Sequence, residues 1–179
     1  MKKDKLIMIS KKVASFVVFF ISLFCFSGCS STNDANLKPA SLKEITGDVV
    51  KATLNTEENV VIDENSITTN ATYIDYDVDG VSIGLLAVRD SNGNVKVVVN
   101  TCQSCGGAPY AYFVQVGNKI QCQNCGSMFD IDDLDNVSLG GCNPILLNSI
   151  QEKDGFLVIK STELKELKSK FNNWEGPKA

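Results

Sequence analysis

Cys102, Cys105, Cys122 and Cys125 stand as two Cys-x-x-Cys-Gly units with sixteen residues between them, inside the stretch Thr101 to Asp133. Two residues between cysteines let the backbone fold into a tight knuckle that brings both thiolates to one ion. The glycine after each pair, Gly106 and Gly126, permits positive φ and a close approach of backbone to sulfur. Four thiolates make a soft donor set, suited to zinc or to iron. The chain has no histidine, which removes His-ligated zinc or haem, a histidine general base and any Ser-His or Cys-His nucleophile pair. Three chemistries stay open on spacing: a structural tetrathiolate zinc site, redox-active iron (mononuclear or clustered), and dithiol–disulfide exchange. Spacing does not separate the first two.

Holding four sulfurs in place asks for rigid elements that end at each pair. "VSIGLLAVRDSNGNVKVVVN" predicts a hairpin, with apolar runs Val81 to Val88 and Val95 to Val99 flanking the turn "DSNGN". "YAYFVQVGNKIQC" predicts a second, turning at Gly117-Asn118, and the two hairpins would aim the knuckles at each other. Upstream, "VVID" is strand-like and "ATYIDYDVDG" alternates; downstream, "GFLVIK" reads as another strand. Leu164, Leu167 and Phe171 recur at helical spacing, with Ser161 as the expected N-cap. Ser41 and Glu44 offer a capping box for a short helix at the start of the domain. The expected fold is mainly β: a small antiparallel β-domain with two metal-knuckle hairpin loops, loosely Rieske-, rubredoxin- or zinc-ribbon-like, plus a short C-terminal helix.

Ahead of this domain, five lysines in "MKKDKLIMISKK" precede an apolar run of fourteen residues, Val13 to Phe26. The run is short for a bilayer span and matches the basic and apolar regions of a signal peptide. It ends in "FSGC", where small residues before Cys29 look like a lipoprotein processing site. Residues 1–28 are therefore read as a lipoprotein-type signal peptide, 29–40 as a flexible tether from lipidated Cys29, and 41–179 as the β-rich metal-binding domain. The soluble part is expected outside the cytoplasm, held to the cell membrane by lipid. A net charge of −4 with no basic stripe argues against nucleic acid as a partner.

The second knuckle, "CQNCGSMFDID", has the shape of a Rieske loop with Cys125 in place of histidine; without histidine a Rieske centre itself is excluded. The two pairs followed by Gly140-Gly141-Cys142-Asn143-Pro144 more closely resemble the bacterial membrane iron–sulfur proteins of the FtrD-like type, over roughly Val81 to Leu147. That resemblance implies an iron–sulfur cluster or related iron–thiolate centre on Cys102, Cys105, Cys122 and Cys125. Its implied work is electron transfer or iron handling at the outer face of the membrane, with a redox partner or an iron permease, and no substrate-transforming chemistry of its own. The family's motif also makes Cys142 an additional ligand or redox thiol; on the residues alone it is a small buried hydrophobe in a turn. The alternatives are a zinc-ribbon-like binding module, in which metal only holds the fold, and a thiol–disulfide oxidoreductase using Cys142. The acidic run Asp130, Asp132, Asp133 and Asp135 is read as a solvated loop rather than a cation site. Tyr110, Tyr112 and Phe113 are read as packing or as a shield for the metal site, and Trp174 as a core or edge aromatic on the last helix.

Overall fold

The computed structural model describes residues 42–179. The expected signal peptide, Cys29, the tether and Ser41 lie outside the described residues. Among the described residues no helix is long and apolar enough to cross a membrane.

The apolar run after Gly80 becomes β5 (Val81–Arg89), paired antiparallel with β4 (Thr72–Val78) and β6 (Val95–Cys102). Its sequence is continuously apolar because both faces are covered. Leu85 and Ala87 enter one apolar cluster, while Leu86 and Val88 enter another. β4 and β6 divide the same way, with Ile74, Tyr76, Val97 and Val99 facing the first cluster and Tyr73, Val98 and Cys102 the second. A fully buried leucine contributes about 1.5–3 kcal/mol, so these three strands are the stable centre of the fold. β1 (Asp48–Lys51) and β10 (Pro144–Leu146) complete a five-stranded sheet at its edges. β1 runs parallel to β4, a departure from the all-antiparallel expectation.

Two smaller sheets cover the two clusters. β2 (Thr53–Leu54), β3 (Val60–Asp63), β11 (Gln151–Lys153) and β12 (Phe156–Ile159) form one. Val60, Ile62, Leu157 and Ile159 from it meet the first cluster, which Leu164, Phe171 and Trp174 close from the C-terminal side. β7 (Phe113–Val116), β8 (Lys119–Cys122) and β9 (Met128–Asp130) form the other. Phe113, Ile120 and Cys122 from that sheet join the second cluster with Ile131 and Leu134 of the 3-10 turn Ile131–Asn136.

The hairpin turn and that 3-10 turn are tied together by charge. Asp90, almost fully buried, accepts hydrogen bonds from the backbone of Asn92 and Asn94 at 2.9 and 2.8 Å. Burial opposes its ionisation, yet these bonds and the Lys96 ammonium at 3.5 Å hold its carboxyl below the usual range. Lys96 also pairs with Asp135. Asp130 is engaged by Lys119 and Asn118, and Asp132 by Ser91. The acidic run is therefore taken up in structural contacts, with Asp133 and Asp135 exposed.

Three local expectations are corrected. The stretch after Ser41 is not helical; Lys43 N instead donates to Gln123 Oε1 at 2.6 Å, and this long-range bond outweighs a local capping box. Ser161 is the first residue of α1 (Ser161–Glu166) rather than its cap, which is Lys160 with no side-chain capping bond. Ser161 is buried there, so its placement serves packing. The helix is short and continues as a 3-10 turn, Lys168–Phe171, so Trp174 lies beyond it.

Candidate metal centre

Each cysteine pair begins on the last residue of a strand: Cys102 ends β6 and Cys122 ends β8. Both then turn in the same way. Gly106 N donates to Cys102 O at 2.8 Å, and Gly126 N donates to Cys122 O at 2.9 Å. Only the second knuckle uses the left-handed backbone at its first glycine: Gly126 has φ +77°, whereas in the first knuckle it is Gly107, at φ +99°. Gly106 serves close approach instead, since a Cβ there would lie 3.1 Å from Cys102 O and 3.2 Å from Lys170 Cδ.

The outcome is a single group in which the four Sγ atoms of Cys102, Cys105, Cys122 and Cys125 all lie within 4.8 Å of one another. Cys102, Cys105 and Cys122 are buried and Cys125 is partly exposed. All four are free thiols. Tyr112 and Phe113, expected as packing or as a shield, fall into the first and second apolar clusters respectively. Gln123 N donates to Tyr112 O at 2.8 Å and so ties the second knuckle to the segment that follows the first.

Thiols this close compete for their protons. Hydrogen bonds from Cys105, then Cys122, bring the Cys102 thiol down to about 7. Cys125 is held far below the usual thiol range, chiefly by Cys102 and then by Cys105 and Cys122. The cost falls on Cys105 and Cys122, both pushed up, with Cys102 the leading cause in each. The shifts run in opposite directions within one group because thiols this close share their protons. A bound cation removes this conflict because it replaces the shared protons with positive charge at the centre of the group. The donor set fits a soft metal on this ground as well as on its chemistry.

The strand that delivers Cys102 is irregular just before it. Pro144 of β10 lies opposite Cys102 but Ile145 lies opposite Val99, so Asn100 and Thr101 have no counterpart across the ladder. Such bulges re-aim the residues around them. The two buried side-chain polar atoms without a partner, among the described residues, are Asn100 Nδ2 and Thr101 Oγ1. Asn100 Oδ1 accepts from Phe113 N at 2.8 Å, and Phe113 is the cross-strand partner of Cys122. The Asn100 carboxamide therefore ties β6, which carries the first knuckle, to β7, the strand paired with the one that carries the second.

Sequence reasoning singled out the Gly-Gly-Cys-Asn-Pro loop but missed what holds it. Gly140 and Gly141 take φ +85° and +71°, a double left-handed turn that residues with side chains rarely adopt. The two residues inside the first Cys-x-x-Cys grip this turn. Gln103 Oε1 accepts from Gly140 N at 2.6 Å, Gln103 N donates to Asn143 O at 2.8 Å, and Ser104 N donates to Gly141 O at 3.0 Å. Cys142 is partly buried against the same cluster as Cys102 and Cys105, but it stands outside the four-sulfur group.

A family model described as membrane iron–sulfur containing protein, FtrD-like, matches residues 66–171, more than half of the chain. No curated protein matches. Among solved structures, a crystal structure of a quaternary ammonium Rieske monooxygenase in complex with an inhibitor aligns at 19% identity, with a TM-score of 0.37. The alignment covers 57% of this chain and 31% of that one, so this chain spans about a third of that enzyme's length.

Proposed function

The chain belongs to the family of FtrD-like membrane iron–sulfur proteins, and on that footing we propose that Cys102, Cys105, Cys122 and Cys125 hold redox-active iron that passes single electrons. The domain works at the outer face of a membrane, to which lipidated Cys29 tethers it. Its partner is a redox protein or an iron permease in the same membrane. One electron enters and one leaves, and no bond in a substrate is made or broken by the chain itself.

The observation that carries this reading is the convergence of four free thiols, three of them buried, at the ends of two rigid hairpins. Iron held there supplies the change of one unit of charge. The chain's own residues keep that charge change inexpensive by excluding water: Cys102, Cys105 and Cys122 are enclosed in the apolar cluster with Phe113 and Ile120. Cys125, the most accessible of the four, is the natural point of electron exit toward a partner. Cys142 stands outside the four-sulfur group and is left out of the ligand set.

Two measurements test this. Protein purified without oxygen is expected to be coloured, to bleach with dithionite and to recover its absorption with ferricyanide. A colourless, redox-silent protein containing zinc would leave a binding module whose metal only holds the fold; metal-free protein with Cys102 and Cys105 oxidised would favour thiol exchange. Separately, Cys29→Ala is expected to shift the protein from the membrane fraction to the soluble fraction. Retention on the membrane would overturn the lipid anchor.

A further inference from the structure

The spacing of the four sulfurs also bears on how many metal atoms they take. The geometry points to a single metal ion at the centre of Cys102, Cys105, Cys122 and Cys125, held as a tetrahedral tetrathiolate with no bridging sulfide. This rests on the reading that these cysteines bind metal, but not on that metal being iron.

The argument needs only one bond length and the tetrahedral angle. With metal–sulfur bonds of about 2.3 Å, the six edges of a single-ion tetrathiolate are each about 3.8 Å. In a two-metal centre bridged by two sulfides, the same bond length and angle set the metals about 2.7 Å apart. The thiolates on opposite metals then fall about 5.3 Å apart on the near side and about 6.5 Å on the diagonal. In a four-metal cube every thiolate is on a different metal, and all six separations are about 6.5 Å. The observed group has every Sγ within 4.8 Å of every other. A single ion asks the longest of these edges to contract by no more than about 1 Å, within the reach of side-chain rotation. A bridged pair asks several of them to lengthen while three of the four cysteines are enclosed by Phe113, Ile120 and Ile131. A multi-iron cluster does not fit this pocket; iron bound only by cysteine sulfur does, and is still an iron–sulfur centre.

Each knuckle turns back on its own first cysteine, through Gly106 N to Cys102 O and Gly126 N to Cys122 O, and this fixes both sulfurs of a pair on one side of their turn. Two such turns facing each other enclose one point, not a line.

The test uses the full chain, solubilised in detergent and kept free of oxygen. Expected are one metal per chain, no acid-labile sulfide and, if the metal is ferric iron, the electron paramagnetic resonance signal of an isolated high-spin ion. Cobalt(II) added to metal-free chain is expected to saturate its thiolate absorption at one equivalent. Two or more irons with matching labile sulfide, as purified or after reconstitution with iron and sulfide, overturn the single-ion site while leaving the iron reading intact. One zinc per chain without sulfide does the reverse. A chain that binds neither iron, zinc nor cobalt overturns both.

Discussion

Cys122→Ser is expected to abolish stable metal binding and to cost more folding stability than the same change at Cys125. All four sulfurs belong to one group, so loss of any ligand should weaken metal retention by more than the roughly 10–100-fold typical of outer-shell partners. Metal that binds only the folded chain stabilises it by about 2.7 kcal/mol at a hundred times its dissociation constant. Losing that much lowers the melting temperature of a domain this size by about 5–11 °C. The four positions then separate in the metal-free protein. Cys122 and Cys102 are fully buried at strand ends within an apolar cluster, where a serine hydroxyl without a partner costs about 1–3 kcal/mol. Cys125 is partly exposed, with Ser127 Oγ 3.4 Å from its sulfur, so a hydroxyl there keeps water or Ser127 as a partner. Chelator competition and thermal melts of the four Cys→Ser proteins, loaded and metal-free, check both levels. Equal melting of the metal-free Cys122→Ser and Cys125→Ser proteins would count against the burial argument, and metal retention by either would remove that residue from the ligand set.

The parts of this fold that were legible in the sequence are the local ones. The turn "DSNGN" between two apolar runs and Gly117-Asn118 between two shorter ones locate β5, β6, β7 and β8 within about three residues, because hairpin register is written in adjacent residues. Pairings that span the chain left no such trace. Val60 to Asp63 meets Phe156 to Ile159 across some ninety residues, and nothing in a period of two says which distant strand is the partner. The parallel β1–β4 pair is invisible for the same reason. Capping signals at Ser41 and Ser161 failed where a tertiary contact, Lys43 to Gln123 or the burial of Ser161, was worth more than the local bond.

The site divides along the same line. Four cysteines and two following glycines announce two knuckles, and strand ends announce that they converge. The bulge at Asn100 and Thr101 could not be read, because it depends on where Pro144 meets β6. Nor could the grip of Gln103 and Ser104 on the Gly-Gly turn, which joins segments some forty residues apart. Spacing in the chain left zinc, iron and disulfide chemistry open; spacing in space, among the sulfurs themselves, is what bears on the number of metal atoms.

Trp174→Ala is the substitution outside the cysteines expected to cost most, and its effect should reach the metal. Trp174 is 2% exposed, clamped between two glycines whose substitution it forbids. A Cβ at Gly84 would lie 2.4 Å from its Cη2, and one at Gly176 would lie 2.2 Å from its Cζ2. Its ring meets Phe171 and Tyr112 edge-on at 5.2 and 6.3 Å. Truncating a buried tryptophan costs about 3–5 kcal/mol, which for a domain of this size lowers melting by about 6–20 °C. The indole does more than fill space, since its Nε1 donates to Asn100 O at 3.1 Å, holding the bulge from the face opposite the Asn100 side chain, which grips Phe113. Removing that donor takes a hydrogen bond from the Asn100 carbonyl, directly before the residues that deliver Cys102, so metal should leave the loaded protein faster although every ligand is intact. Trp174→Phe separates the two contributions: it keeps most of the apolar contact and loses only the hydrogen bond, at about 1–3 kcal/mol. Urea midpoints for both variants, read beside metal release to a chelator, decide the matter. If Trp174→Phe releases metal at the wild-type rate, the indole is a core residue alone; if it releases metal early while melting close to wild type, the C-terminal tail is part of what holds the centre.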